Sequence, residues 1–106
     1  MSTYLADIGR EINKINRGNG WQVLEPDQWT DPYKIPAVLA LVHTEVSEAV
    51  EAFRNDDRAN FEEELADVLI RVLDIVGGLG IDIDHAVLAK LAKNKTRGLR
   101  HGGKRI

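Results

Sequence analysis

The sequence predicts an all-α domain, a four-helix bundle around a central antiparallel helical hairpin, and three observations carry that reading. Apolar residues recur at helical spacing in four separate stretches, and no stretch alternates as a strand does. Glycine- and proline-bearing segments separate the stretches, and Asn55-Asp56-Asp57-Arg58 forms a short turn between the two longest. With 106 residues, 43% of them hydrophobic, there is material for one modest core, so residues 1–106 are read as a single domain.

The first helix is expected over about 3–16, where Leu5, Ile8, Ile12 and Ile15 share a face, and Arg17-Gly18-Asn19-Gly20 ends it. Residues 21–35 hold two prolines and no period. They read as a loop carrying Trp21 and Trp29, with Trp29 expected to pack at the edge of the core. Pro36 opens a second helix to about Arg54, with the stripe Leu39, Val42, Val46, Ala49 or Val50, and Phe53. A third helix, about 59–79, shows Leu65, Leu69, Val72, Val76 and Leu79, and Gly77, Gly78 and Gly80 weaken and stop it. Asp82 or Asp84 caps a fourth helix to about Lys95 that buries Val87, Leu88 and Leu91. Residues 96–106 form an irregular basic tail.

Composition removes several function classes. The absence of cysteine excludes disulfides, thiolate metal sites and a cysteine nucleophile. No apolar run is long enough for a bilayer, and the N-terminus lacks a signal-like apolar segment, so no membrane partner is expected and a cytoplasmic location is. The net charge of −3 hides an asymmetry: residues 1–89 carry all seventeen acids against seven Lys/Arg, and residues 90–106 carry seven Lys/Arg and no acid. Such a basic end fits either a nucleic-acid contact or a set of cations facing an acidic metal site across one polyphosphate.

Four carboxylates supply that acidic site. Glu48 and Glu64 each lie eight residues from Asp56, and Glu45 and Asp67 each lie eleven from it. Positions equidistant from the turn of an antiparallel helix pair are level, and i, i+3 spacing stacks each pair on one helix face. Either pair alone is what a solvated helix commonly shows. Both together, adjoining the apolar stripes, converge on one volume whose repulsion a cation would relieve, and all-oxygen ligands suit Mg²⁺ or Mn²⁺. Glu51, Glu62 and Glu63 read as solvated and Asp56 and Asp57 as turn residues; Asp74, seven residues past Asp67, can reach the edge of the site, but an ion pair with Arg71 is the favoured reading. His43 and His101 are not expected to be ligands. Asp82-x-x-His85 reads as a helix cap.

Three segments, EVSEAVEAF (45–53), EELADVLIRVLDIVGGLGIDI (63–83) and AKLAKNKTRGLRHGGKRI (89–106), resemble the MazG-like all-α nucleoside triphosphate pyrophosphohydrolases, the superfamily of dCTP pyrophosphatase and the dimeric dUTPases. The likeness spans roughly residues 36–106, with a looser match at Gly20-Trp21. It implies that Glu45, Glu48, Glu64 and Asp67 are the metal ligands. It further implies that Lys90, Asn94 and Arg97 contact phosphate or sugar, that Arg71 lines the pocket and that Trp21 approaches the base. Lys104 joins the phosphate contacts because the HGGKR tail matches. Thr44 stands where the pattern often has a further Glu.

The resemblance implies a homodimer or homotetramer. It also implies Mg²⁺-dependent hydrolysis of a (deoxy)nucleoside triphosphate to the monophosphate and pyrophosphate, with a housecleaning role in the nucleotide pool. Glu48 is the expected residue to orient or deprotonate the attacking water. The alternative from another class is a non-catalytic helical oligomer whose basic tail binds nucleic acid. It explains the tail but not the symmetric carboxylates, so nucleic acid is the less expected partner.

Overall fold

The computed structural model describes residues 4–97. It contains α1 (Leu5–Gly18), a short 3-10 turn (Pro26–Thr30), α2 (Lys34–Arg54), α3 (Arg58–Leu79) and α4 (Ile83–Arg97). Among the described residues there is no strand, and the chain is all-α. The tail from Gly98 onward, with His101 and Lys104, lies outside the described residues, as does the side chain of Arg97.

Local chemistry sets most of the boundaries. Asp31 Oδ1 accepts the backbone N–H groups of Tyr33 and Lys34 at 2.9 and 2.8 Å, which starts α2 two residues before Pro36. Those bonds, Lys34's first, hold the Asp31 carboxyl below its ordinary pKa. Asp57 caps α3 by accepting the Asn60 N–H. Asp56 makes the turn in the left-handed region, φ 53°, a conformation that Asp tolerates. Gly80 ends α3 at φ 70°. Asp82 Oδ1 accepts the His85 N–H, the expected cap of α4. Asp84, the other candidate, accepts the N–H groups of Leu5 and Ala6 and caps α1 instead.

The hairpin α2–α3 is central. α3 packs against α2 on one side and α1 on the other, and α4 packs chiefly on α1. The buried apolar residues are Val23, Leu24, Ala49, Ala52, Leu73 and Val76.

Several expectations change here. α3 runs through Gly77 and Gly78 unbroken, and both let other backbone approach it. A Cβ at Gly77 would collide with the backbone of Gly9, and one at Gly78 with the carbonyl of Leu24. The stripes on α2 and α3 are covered only in part: Ala49 and Val76 are buried, whereas Leu39, Val46, Val50, Phe53, Leu65 and Leu69 are exposed. Val87, Leu88 and Leu91 of α4 are likewise exposed. Trp29 does not reach the core and is 70% exposed. Val23 and Leu24 anchor that loop instead, helped by Lys34 Nζ donating to the Val23 carbonyl and by the Arg17–Glu25 ion pair.

Candidate active site

The antiparallel hairpin brings Glu45 and Glu48 of α2 level with Glu64 of α3. One carboxylate oxygen from each falls within 4.8 Å of the others. Glu45 is buried, at 8% exposure. Glu64 has an oxygen shut off from solvent with no hydrogen-bond partner, and its pKa is pushed up to about 7. Burial is the first cause, followed by the carboxylates of Glu48, Glu45 and Asp67. A buried, unpartnered carboxylate oxygen is costly unless a donor or a cation meets it. The set thus fits a hard divalent cation by its chemistry: three oxygen donors, no nitrogen or sulfur, and one buried oxygen that faces only neighbouring carboxylates.

Asp67 falls outside that group of three. It is close enough for its charge to act on Glu64, and with Glu45 it lines a cleft of about 350 Å³ shared with Asn16, Trp21, Ile70, Arg71 and Asp74. That volume lies within the range of small-molecule sites. A second, smaller cleft of about 220 Å³ lies on the turn side, bordered by Glu48, Glu51, Asn55, Asn60 and Glu64. The acids therefore sit between two openings along the α2–α3 groove.

The chain is similar to known proteins. The family model described as the MazG nucleotide pyrophosphohydrolase domain matches residues 35–99, more than half of the chain. The chain belongs to the MazG family. A dATP/dGTP diphosphohydrolase from Cyanophage S-2L is 51% identical over 41 residues, a stretch covering 39% of this chain and 39% of that protein. No solved structure matches.

Arg71, inside the matched segment, and Trp21, ahead of it, both line the larger cleft. Arg71 Nε donates to Glu45 Oε1 at 3.3 Å. The ion pair expected between Arg71 and Asp74 is therefore not formed. Asp74 is instead held from α1, its two oxygens accepting Asn13 Nδ2 and Asn16 Nδ2, each at 3.0 Å. Asn13 and Asn16 are the site residues that the sequence reading missed. Asn13 is 8% exposed, and the available signal was an i, i+3 amide pair beside the apolar stripe of α1.

The basic residues behave differently. Lys90 and Asn94 are exposed on α4, and Lys90 borders a shallow apolar surface with Ile83, Ala86, Val87 and Leu91, away from the carboxylates. Within one chain, then, the fourth helix does not bring Lys90 to the acids, because α4 packs on α1 and not on the hairpin groove. His43 is exposed and is not among the clustered residues. Among the described residues, no helix is long and apolar enough to cross a membrane.

Proposed function

We propose that this MazG domain hydrolyses a (deoxy)nucleoside triphosphate to the monophosphate and pyrophosphate, with Mg²⁺, or Mn²⁺ in its place, held by Glu45, Glu48, Glu64 and Asp67. The observation that carries the reading is the buried, unpartnered oxygen of Glu64 among three clustered carboxylates. The cyanophage relative, named for action on dATP and dGTP, supports a nucleotide substrate.

Bound divalent cations would offset charge developing on the departing pyrophosphate and lower the pKa of a water able to attack the α-phosphorus. The burial of Glu45 and of one Glu64 oxygen supports that role. Glu48 would orient or deprotonate the water, a role that its exposure beside the smaller cleft supports. Arg71, now on Glu45, is the cation at hand to turn toward a phosphate oxygen in the same cleft. Trp21 offers a flat wall for the base.

Assembly belongs to the same reading. The exposed apolar residues of α2, α3 and α4 fit a second copy of this chain, as a homodimer or homotetramer. In such an assembly the basic residues Lys90, Asn94, Arg97 and Lys104 would contact the phosphates from the neighbouring chain, the role that the family resemblance implies for them. A housecleaning role in the nucleotide pool, in the cytoplasm, completes the proposal.

The deciding experiment is pyrophosphate release from a panel of ribo- and deoxyribonucleoside triphosphates. Turnover should appear with Mg²⁺, vanish with EDTA and return with excess Mg²⁺. Undiminished turnover in metal-free buffer would rule this mechanism out.

A further inference from the structure

The larger cleft has two chemically different ends. Glu45 and Asp67 stand at the metal end, and Asp74 with Asn16 at the other. Asp67, Ile70, Arg71 and Asp74 follow one face of α3. The seven-residue separation puts Asp74 about 10 Å along the axis from Asp67, the direction in which a sugar and base would follow an α-phosphate held at the acids. Trp21 forms a wall of the same cleft.

We propose that Asp74, set in place by Asn13 and Asn16, reads the nucleobase and selects bases carrying an exocyclic amino group, guanine above the others. This rests on the pyrophosphohydrolase reading for the direction in which the substrate lies.

The argument is an inventory of donors and acceptors. An ionised carboxylate only accepts, and its two oxygens offer about four lone-pair sites. Two of these are taken, one on each oxygen, by Asn13 Nδ2 and Asn16 Nδ2. Two amides from one helix thus fix the plane of the carboxylate and leave about one acceptor site per oxygen. Asn13 Oδ1 is itself used, accepting Arg17 Nη2 at 3.3 Å, so Asn13 is oriented from behind. Asn16, which lines the cleft, directs its side-chain N–H at Asp74.

The Asp74 carboxylate, with a free acceptor site on each oxygen, calls for donors on the part of the ligand that meets it. Guanine presents N1–H and the 2-amino group side by side, the geometry of two parallel bonds to one carboxylate. Adenine and cytosine each present one amino group. Thymine and uracil present a single N–H between two carbonyls, whose oxygens would face the carboxylate unfavourably. A site built to hydrogen-bond a group discriminates strongly against an analogue without it, because the site's own polar atoms are then left unpaired.

The test combines turnover of dGTP, dATP, dCTP and dTTP with calorimetric binding of their α,β-imido analogues. In the parent, dGTP should exceed dTTP by at least about tenfold in both kcat/KM and affinity. Asp74→Asn should shrink that ratio severalfold, since a donor amide replaces half of the acceptor pair. Asn16→Ala, which leaves Asp74 with Asn13, should shrink it by less, and it decides the matter should Asp74→Asn fail to fold. The readout is a ratio between bases, which a general loss of stability or turnover does not move. A parent that treats dGTP and dTTP alike, or variants that keep the parent's ratio, would overturn the assignment. Equal hydrolysis of all four bases removes the role of Asp74 and leaves the pyrophosphohydrolase standing. Ordered binding of the analogues without pyrophosphate release does the reverse, and neither binding nor release overturns both.

Discussion

The hairpin of α2 and α3 is covered at one end and bare at the other. Near Val76, α1 and the 23–24 segment close over α3, leaving Leu24 and Val76 each 3% exposed and Leu73 8%. Toward the turn the same α3 stripe continues as Leu69 and Leu65, 60% and 45% exposed. Val46, Val50 and Phe53 of α2 are exposed there as well. The reason is reach: α1 meets α3 where Gly9 and Gly77 let the backbones touch, and nothing described in the chain extends from there over the turn end. Equal hydrophobicity at two ends of one helix thus gives two outcomes, set by what the fold can place on top.

The largest effect should come from treating the two ends identically. Val76→Asp places a charge where no water reaches, and the cost is enough to consume most of the roughly 5–15 kcal/mol available to a small domain. Loss of cooperative thermal unfolding and of helical circular dichroism is the expected result. Leu69→Asp should leave the fold intact and instead lower the mass measured by analytical ultracentrifugation, as a second copy loses an apolar contact. If both variants unfold alike, the turn end is not an external face. An unchanged mass for Leu69→Asp would place any assembly elsewhere.

A smaller energy but a clear activity loss should follow at the acids lying between the two ends. Glu48→Gln and Glu64→Gln should each lower kcat/KM for the preferred triphosphate by at least about 100-fold, the scale on which even supporting groups around a metal matter. Glu63→Gln, on the exposed face of α3, should stay within about twofold of the parent. Pyrophosphate release measured beside circular dichroism checks both. A Glu63 variant as impaired as Glu64→Gln would mean that α3 presents another face to the substrate.

How much of this was legible follows from the residues. Periodicity and turn chemistry located the helices to within about two residues because caps and breakers act locally: Gly80 and Asp82 do what their positions imply, and Asp57, read only as a turn residue, also caps α3. Counting outward from Asp56 was enough to bring Glu45, Glu48 and Glu64 together, since an antiparallel pair keeps equidistant positions level. Periodicity says which side of a helix is apolar and not what covers it, so the exposed stripe and the placement of α4 were beyond reach. The α1 contact with Asp74 was missed for a related reason. Asn13 and Asn16 look like surface amides until the Gly9–Gly77 approach presses α1 onto α3. Of the two candidate caps for α4, Asp82 serves it, and Asp84 bonds to the start of α1, a contact that local sequence does not encode.

The smallest expected effect is the proton linkage of Glu64, and it sharpens the comparison by probing the junction without denaturing either end. Its carboxyl titrates near 7 in the folded protein against an ordinary 4.5, raised mainly by burial and then by its acidic neighbours. The folded state therefore holds this proton over a range in which the unfolded chain has released it. The stabilisation is fully present below 4.5 and is lost as the pH rises through 7. Glu64→Gln, which stays neutral, should match the parent in melting temperature at the acid end. In metal-free buffer it should become progressively the more stable of the two as the pH rises to 7 and above. Excess Mg²⁺ should reverse the order near neutrality, because only the parent offers the full set of charged oxygens and binding to the folded state alone raises its stability. Parallel melting curves with and without EDTA across that range make the measurement. A parent and variant that stay equally stable at every pH would show that Glu64 is ionised and solvated in the folded protein, and the case for a metal at this junction would lose the observation it stands on.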